Sequence, residues 1–207
     1  MGLIRLLFED PVAFALVAFP LLYSIILHEV AHGWVACRMG DPTAKRWGRL
    51  TLNPIRHLDP IGTLMLFIAG FGWARPVPVN LDNIADRRKG LIFVSSAGIL
   101  VNILLAVAAL LIFRSFSVSP SEISGVLLYY VVQINLTLAS LNLIPVPPLD
   151  GSKILMGFVS RRMQWQLARL EPYGFFIIIG LLYVGLLDPL IGFFRWIIVG
   201  LIRALLP

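Results

Sequence analysis

The sequence lacks the features of a secreted or an ordinary soluble protein. Its 207 residues include a single cysteine, Cys37, so no disulfide can form within the chain. Only 14% of the residues are charged, against about 25% in a typical soluble domain, and 58% are hydrophobic. One core of this size cannot bury so much apolar surface. The composition therefore excludes a disulfide scaffold, a disordered chain and a soluble domain, and indicates a membrane protein.

Charge is absent from several long stretches of the chain. A helix that crosses a bilayer needs about 20 mostly apolar residues. Segment 61–74 is uncharged but shorter and contains three glycines, so we expect it to re-enter the membrane, with a sixth span as the alternative. Five transmembrane helices are predicted from the uncharged runs 11–27, 90–113, 123–149 and 172–187 and from 189–202, which only Arg195 interrupts.

The basic residues cluster in a way that predicts orientation. Thirteen of the 17 lie in the polar segments 38–56, 75–89 and 153–169, whereas the loop 114–122 has only Arg114. Cytoplasmic loops carry an excess of Lys and Arg, so these three segments are expected on the cytoplasmic side. The N-terminus then lies outside and the C-terminus inside, provided that 61–74 does not cross. The net charge of +6 reflects this topology, and nucleic acid is not an expected partner.

Two histidines and an acid stand together in the first apolar run, as His28-Glu29-Val30-Ala31-His32. Residues four apart share one face of a helix, so both imidazoles can bind one metal ion. Glu29 is then placed to act as a general base toward water at the metal. The alternative is that two histidines merely pack one turn apart, but it leaves a costly intramembrane acid unexplained.

Asp150 is the other acid at the edge of an apolar run, and it is the candidate for a third metal ligand. It follows Pro145, Pro147 and Pro148, which must end the preceding helix. Irregular backbone at membrane depth is tolerated where it lines a cavity. The alternative role for Asp150 is that of N-cap of the next helix, and the two roles are compatible.

Two motifs together make the chain resemble the site-2 proteases, a family of intramembrane zinc metalloproteases. They are the His28–His32 motif and the segment 142–151, with the pattern Asn-x-x-Pro-x-Pro-x-Leu-Asp-Gly. Weaker matches lie at 72–80 and at 96–102, although Ile99 stands where the family usually has proline. The resemblance covers about residues 11–169. The loop near 114–123 is too short for the PDZ domain of some members, so the chain resembles the compact branch without one.

The resemblance implies a catalytic core of three helices and one Zn²⁺ per chain. The helices are those that carry the histidines, residues 91–113 and Asp150. Zinc would be bound by His28, His32 and Asp150, with Glu29 activating water. Asn142, and as a second candidate Asn102, would contact the substrate backbone or the oxyanion. Segment 49–80 would form a β-like re-entrant element that guides the substrate.

These observations predict an all-α polytopic membrane protein with five or six transmembrane helices. We expect one integral membrane domain over 1–207, with a catalytic core at about 11–160 and C-terminal helices at about 172–206. The expected function is intramembrane endopeptidase, acting on transmembrane protein substrates in a prokaryotic cytoplasmic membrane. The alternatives are an ion or metal transporter, for which the sequence shows no inverted repeat, and a non-catalytic binder of membrane proteins. The oligomeric state is not indicated.

Overall fold

Helices make up the fold of this chain. The computed structural model describes residues 3–69, 74–116 and 118–206, and these residues contain no β-strand. Three short 3₁₀ turns lie at Pro54–Arg56, Leu81–Asn83 and Glu171–Tyr173. The α-helices are α1 (Leu3–Glu9), α2 (Pro11–Arg38), α3 (Thr43–Arg46), α4 (Pro60–Ala69), α5 (Arg87–Ser115), α6 (Ile123–Leu143), α7 (Asp150–Phe158), α8 (Arg161–Leu170), α9 (Gly174–Tyr183) and α10 (Leu187–Leu205).

Local sequence signals explain where the long helices begin and end. Asp10 caps α2 by accepting a hydrogen bond from Ala13 N, and Pro11 occupies the first helical position. Asp86 caps α5 in the same way, accepting from Arg88 N and Lys89 N. Helix α6 ends just before Pro145, which cannot continue a helix.

The membrane-spanning helices are α2, α5 and α6. These three are long and apolar enough to cross a bilayer. Helices α8–α9 and α10 meet the same test only as a joined pair, which is bent by 93° and is either a broken span or a re-entrant loop. The all-α polytopic architecture is therefore confirmed, and among the described residues three helices pass this test, or four if the bent pair is one span.

The two expected C-terminal helices are present, but neither passes as a span on its own. Gly185, with φ of 75°, separates α9 from α10, and α9 has only 10 residues. Helix α10 carries Asp188, Arg195 and Arg203, too much charge to pass as a span on its own. It packs instead along α6, where Arg195 donates a hydrogen bond to Gln133.

The apolar core lies between α5, α6 and α10. Helix α2 packs on α5 and α6 beside it, and α7 packs on α5. The predicted core helices α2, α5 and α7 are thus together, with α6 joined to them. The buried cluster consists of Ile99, Ala106, Ala109, Val132, Leu136, Ala139, Ile198 and Ile202.

Segment 49–80 is not β-like in its described residues, contrary to expectation. Asp59 accepts a hydrogen bond from Gly62 N and Pro60 follows it, so the chain starts helix α4 instead. At 10 residues α4 is about 15 Å long, roughly half the hydrocarbon thickness. An isolated antiparallel bridge pairs Leu58 with Ala74, so these two residues lie side by side, as a re-entrant segment requires. Residues 70–73, which include part of the 72–80 motif, lie outside the described chain.

Asp41 ties the end of α2 to the start of the segment that precedes α5. It is fully buried, and its carboxylate accepts hydrogen bonds from Thr43 N, Thr43 Oγ1, Asn80 N and Asn83 Nδ2. Burial alone would raise the pKa of Asp41, but the hydrogen bonds from Thr43, Asn83 and Asn80 outweigh it and lower that pKa. The ionised form is therefore the one that the fold stabilises.

We expect Asp41→Asn to lower the free energy of unfolding by about 1.5–3 kcal/mol near neutral pH, because the donors lose a charged acceptor. Because its pKa is lowered in the folded state, the Asp41 carboxyl group stabilises the protein at pH values above its unfolded-state pKa of about 3.9. This contribution is lost as the pH falls through the folded-state pKa. The difference from wild type, measured by thermal unfolding in detergent, should therefore vanish in acid. Asp82→Asn, an exposed acid in the same region, serves as the control. An Asp41→Asn defect that persists in acid would contradict this account.

Candidate metal centre

Three side chains from two helices converge at one point in the interior. His28 and His32 lie one turn apart on α2, and Asp150 is the first residue of α7. Asp150 Oδ2 is 3.1 Å from Nε2 of each histidine, and the two Nε2 atoms are 3.0 Å apart. All three residues are buried. The N-cap of α7 is Leu149 rather than Asp150, so capping does not account for the position of this carboxylate.

The hydrogen-bond partners of both histidines place the proton of each neutral ring on the nitrogen that faces away from this point. His32 Nδ1 is 2.7 Å from Val94 O, which can only accept a hydrogen bond. His28 Nδ1 is 2.6 Å from Asn102 Oδ1, also an acceptor. Each neutral ring therefore carries its proton on Nδ1 and directs the Nε2 lone pair toward Asp150.

With each ring neutral and its proton on Nδ1, the arrangement places three acceptor atoms together. Asp150 Oδ2 is buried and receives no hydrogen bond from any described residue. Such a cluster is repulsive unless a cation lies at its centre. Two imidazole nitrogens and one carboxylate oxygen are typical ligands of a catalytic zinc, whose tetrahedral geometry separates ligand atoms by about 3.3 Å. The residues thus fit a metal ion and leave a fourth position for another ligand.

Gly98 on α5 allows the histidine helix to approach. A Cβ atom at this position would lie 2.5–2.7 Å from three atoms of the His28 ring. Any larger residue would displace that ring. The small residue and the His28–Asn102 hydrogen bond, one helical turn further along α5, together hold His28 in place.

Glu29 follows His28 directly in the sequence, but its carboxylate forms a hydrogen bond away from the three candidate ligands. Its Oε2 accepts a hydrogen bond of 2.8 Å from Val77 N, in the extended segment that precedes α5. The sequence pattern places Glu29 beside the metal ligands, but it contains no signal for this backbone contact.

A cavity of about 620 Å³ opens onto the cluster. Its lining includes apolar residues of α5, α6 and the segment before α5, together with the three candidate ligands, Glu29 and Asn142. Lys153 and Glu171 reach it from the α7–α9 side. A cavity of this size and composition can admit a short stretch of apolar peptide.

The two candidate asparagines occupy different places. Asn142 lines the cavity, and its Nδ2 donates to Leu138 O at 3.0 Å. Asn102 is fully buried behind His28, and its amide oxygen is engaged with the histidine ring. The geometry therefore brings Asn142, but not Asn102, to the cavity wall.

Sequence reasoning missed Ser24 and Asn135, which lie behind Asn102 and bond to it or to each other. The available signal was Asn135 itself, a polar amide inside a predicted membrane helix. A neutral amide does not interrupt an uncharged run. A search limited to acids and histidines therefore overlooks Asn135.

Comparison with known proteins agrees with this geometry. The family described as Peptidase family M50 matches residues 118–184. YwhC of Bacillus subtilis, whose name describes a proposed zinc metalloprotease, is 37% identical over 187 residues, covering 85% of this chain and 82% of YwhC. Rip2 of Mycolicibacterium smegmatis, named in the same way, is 34% identical over 183 residues, covering 84% of this chain and 69% of Rip2.

A zinc metalloprotease of Methanocaldococcus jannaschii is 29% identical over 148 residues, which are 70% of this chain and 35% of that protein. No solved structure gives a significant match. The resemblance predicted from the two motifs is confirmed, since relatives above 30% identity match over most of their own length. The chain belongs to peptidase family M50, the family of the site-2 proteases.

Proposed function

We propose that this protein is a zinc-dependent endopeptidase that hydrolyses peptide bonds within or beside the transmembrane segments of membrane proteins. The observation that carries the proposal is the convergence of His28, His32 and Asp150 on the wall of a cavity that Glu29 also lines. The cavity lies among membrane-spanning helices, so a peptide bound there comes from within the bilayer or from its edge.

His28 Nε2, His32 Nε2 and Asp150 Oδ2 are the atoms that would hold the zinc ion. A bound zinc ion polarises a carbonyl group and lowers the pKa of water toward about 7. The donor set supports this assignment, because both histidines already direct an Nε2 lone pair at the same point.

Glu29 is the general base in this proposal. Val77 N–H holds Oε2 and so restricts the carboxylate to one orientation, which leaves Oε1 to take a proton from the attacking water. The same carboxylic acid then donates that proton to the leaving amine. A transporter or binder gives Glu29 no comparable task.

Asn142 is proposed to stabilise the oxyanion of the tetrahedral intermediate. One N–H of its amide bonds to Leu138 O, which positions the side chain and leaves the second N–H for the substrate. Asn102 is assigned a different role below, because its amide oxygen is already bonded to His28.

The substrate must reach this site in an extended form. A transmembrane helix has its carbonyls engaged in hydrogen bonds four residues apart, so local unwinding precedes attack. The extended segment at 74–79 contributes Ala74, Pro76, Val77 and Val79 to the cavity wall, next to Glu29. Its backbone offers replacement hydrogen bonds to an unwound substrate.

We place the protein in a prokaryotic cytoplasmic membrane as one domain, with its N-terminus outside. The basic segments support this orientation. Spans α2, α5 and α6 then leave α7 and α8 on the cytoplasmic side. The C-terminus is cytoplasmic as well if the bent pair containing α9 and α10 re-enters rather than crosses.

The metal site predicts the metal content of purified protein. Wild type should contain about one zinc per chain, and His32→Ala and Asp150→Ala should contain none, because each loses a ligand from a three-ligand site. His57→Ala is the matched control, since it removes the remaining histidine, which bonds to Thr51 O away from the cluster. Full zinc content in Asp150→Ala, measured by elemental analysis, would reject Asp150 as a ligand.

The base is tested by Glu29→Gln, which keeps an acceptor for Val77 N–H but cannot take a proton. We expect zinc content to be unchanged and cleavage to fall by about 10²–10⁴-fold. The assay is cleavage of tagged transmembrane segments co-reconstituted in liposomes, with Glu9→Gln, an exposed acid paired to Arg5, as the control. Proteolysis at the wild-type rate in Glu29→Gln would exclude this base.

The oxyanion role is tested by Asn142→Leu. The maximal cleavage rate should drop by about 10²–10³-fold while KM and zinc content stay near wild type, because the contact forms only in the transition state. A rise in KM with an unchanged maximal rate would instead assign Asn142 to ground-state binding.

A further inference from the structure

Three buried polar side chains form a continuous hydrogen-bonded chain behind the metal centre. Asn102 Nδ2 donates to Asn135 Oδ1 at 2.8 Å and approaches Ser24 O at 3.5 Å. Asn135 Nδ2 donates to Ser24 Oγ and to Val131 O, both at 2.8 Å. We call Asn102, Asn135 and Ser24 the amide chain; both asparagines are fully buried and Ser24 is 4% exposed.

The amide chain connects all three membrane-spanning helices and ends on a candidate metal ligand. Ser24 lies on α2, one turn before His28, while Asn102 is on α5 and Asn135 on α6. Every amide N–H of the two asparagines has an acceptor. The remaining amide oxygen, Asn102 Oδ1, meets His28 Nδ1 at 2.6 Å.

The direction of these hydrogen bonds is fixed at the end farthest from the metal centre. Val131 O is a backbone carbonyl and can only accept, so the amide nitrogen of Asn135 must face it. Asn135 Oδ1 then faces Asn102, whose nitrogen must turn toward it. Asn102 Oδ1 is left to face His28, and it can pair only with a protonated Nδ1.

We propose that Asn102 and Asn135 are positioning residues that hold His28 in the tautomer able to bind the metal ion. The inference rests on the proposed function, since it assigns His28 Nε2 to the metal. With Asn102 reversed, its N–H would face His28 Nδ1, the proton would move to Nε2, and the metal-binding lone pair would be lost. A partner that holds the second ring nitrogen of a ligating histidine typically changes metal affinity by about 10–100-fold.

A packing role alone does not explain why the amide chain crosses helices. Ser140 is equally buried on α6, yet its hydroxyl bonds to Leu136 O of its own helix. Asn135 instead reaches α2 and α5, although polar groups between membrane helices cost free energy unless every partner is in place. The two asparagines are arranged so that one amide oxygen remains for His28. A requirement to fix the tautomer of the His28 ring explains this arrangement.

The test measures zinc affinity by chelator competition and thermal stability of the metal-free protein, in detergent, for wild type and four variants. Asn102→Leu should bind zinc about 10–100-fold more weakly, and Asn135→Leu about 10-fold more weakly, as expected for lost support of a ligand. Asn102→Asp keeps an acceptor for His28 Nδ1–H and should bind zinc at least about 10-fold more tightly than Asn102→Leu. Ser140→Ala, the matched buried control on α6, should bind zinc as wild type does.

Each outcome separates this inference from the proposed function. Wild-type zinc affinity in Asn102→Leu and Asn135→Leu would overturn the positioning role and leave the zinc site intact. If Asn102→Asp binds zinc no better than Asn102→Leu, the two asparagines only fill space, and the inference is again overturned. This comparison remains decisive if Asn135→Leu does not fold. Absence of zinc binding by wild type would instead reject the proposed function itself.

Discussion

The structure depends on one electrostatic constraint, which is that the Nε2 atoms of two imidazoles and a carboxylate oxygen lie within 3.1 Å of one another, all of them acceptors when the neutral rings carry their protons on Nδ1. This contact joins α2 to α7 in a buried place where like partial charges repel strongly. A cation bound between the three atoms turns this repulsive interaction into an attractive one. The surrounding features serve the same contact, because Gly98 lets the helices approach and Val94 O and Asn102 orient the rings. Metal binding and the packing of α7 on the core are therefore parts of one equilibrium.

Glu29, the proposed base, is held differently from the three candidate metal ligands. His28 and His32 are oriented from α5, which is a membrane-spanning helix, whereas Glu29 is oriented by a backbone N–H of the extended segment before α5. The orientation of Glu29 thus depends on a connection between helices, and that of His28 and His32 depends on the helices themselves. Asp41 supports that connection by fixing Asn80 and Asn83 to the end of α2.

Much of this could be predicted from the sequence because the strongest signals are local. Uncharged runs locate α2, α5 and α6, and a four-residue spacing places two histidines on one face. Asp150 stands out as an acid at the edge of an apolar run. The 93° bend between the two C-terminal helices and the helical form of α4 were not predicted, since hydropathy does not report the direction of a chain. Asn135 was missed because its role depends on partners 33 and 111 residues away, Asn102 and Ser24.

The bridge between Leu58 and Ala74 has a consequence for how this chain can vary. Arg75 N donates to His57 O beside that bridge, and Arg49 donates to Arg75 O, so the two ends of the intervening loop are fastened to each other. The cost of closing a loop grows only slowly with its length. Residues can therefore be inserted or deleted between positions 58 and 74 while Val77 keeps its distance from Glu29. Changes in the length of this loop therefore leave Glu29, the proposed base, in place.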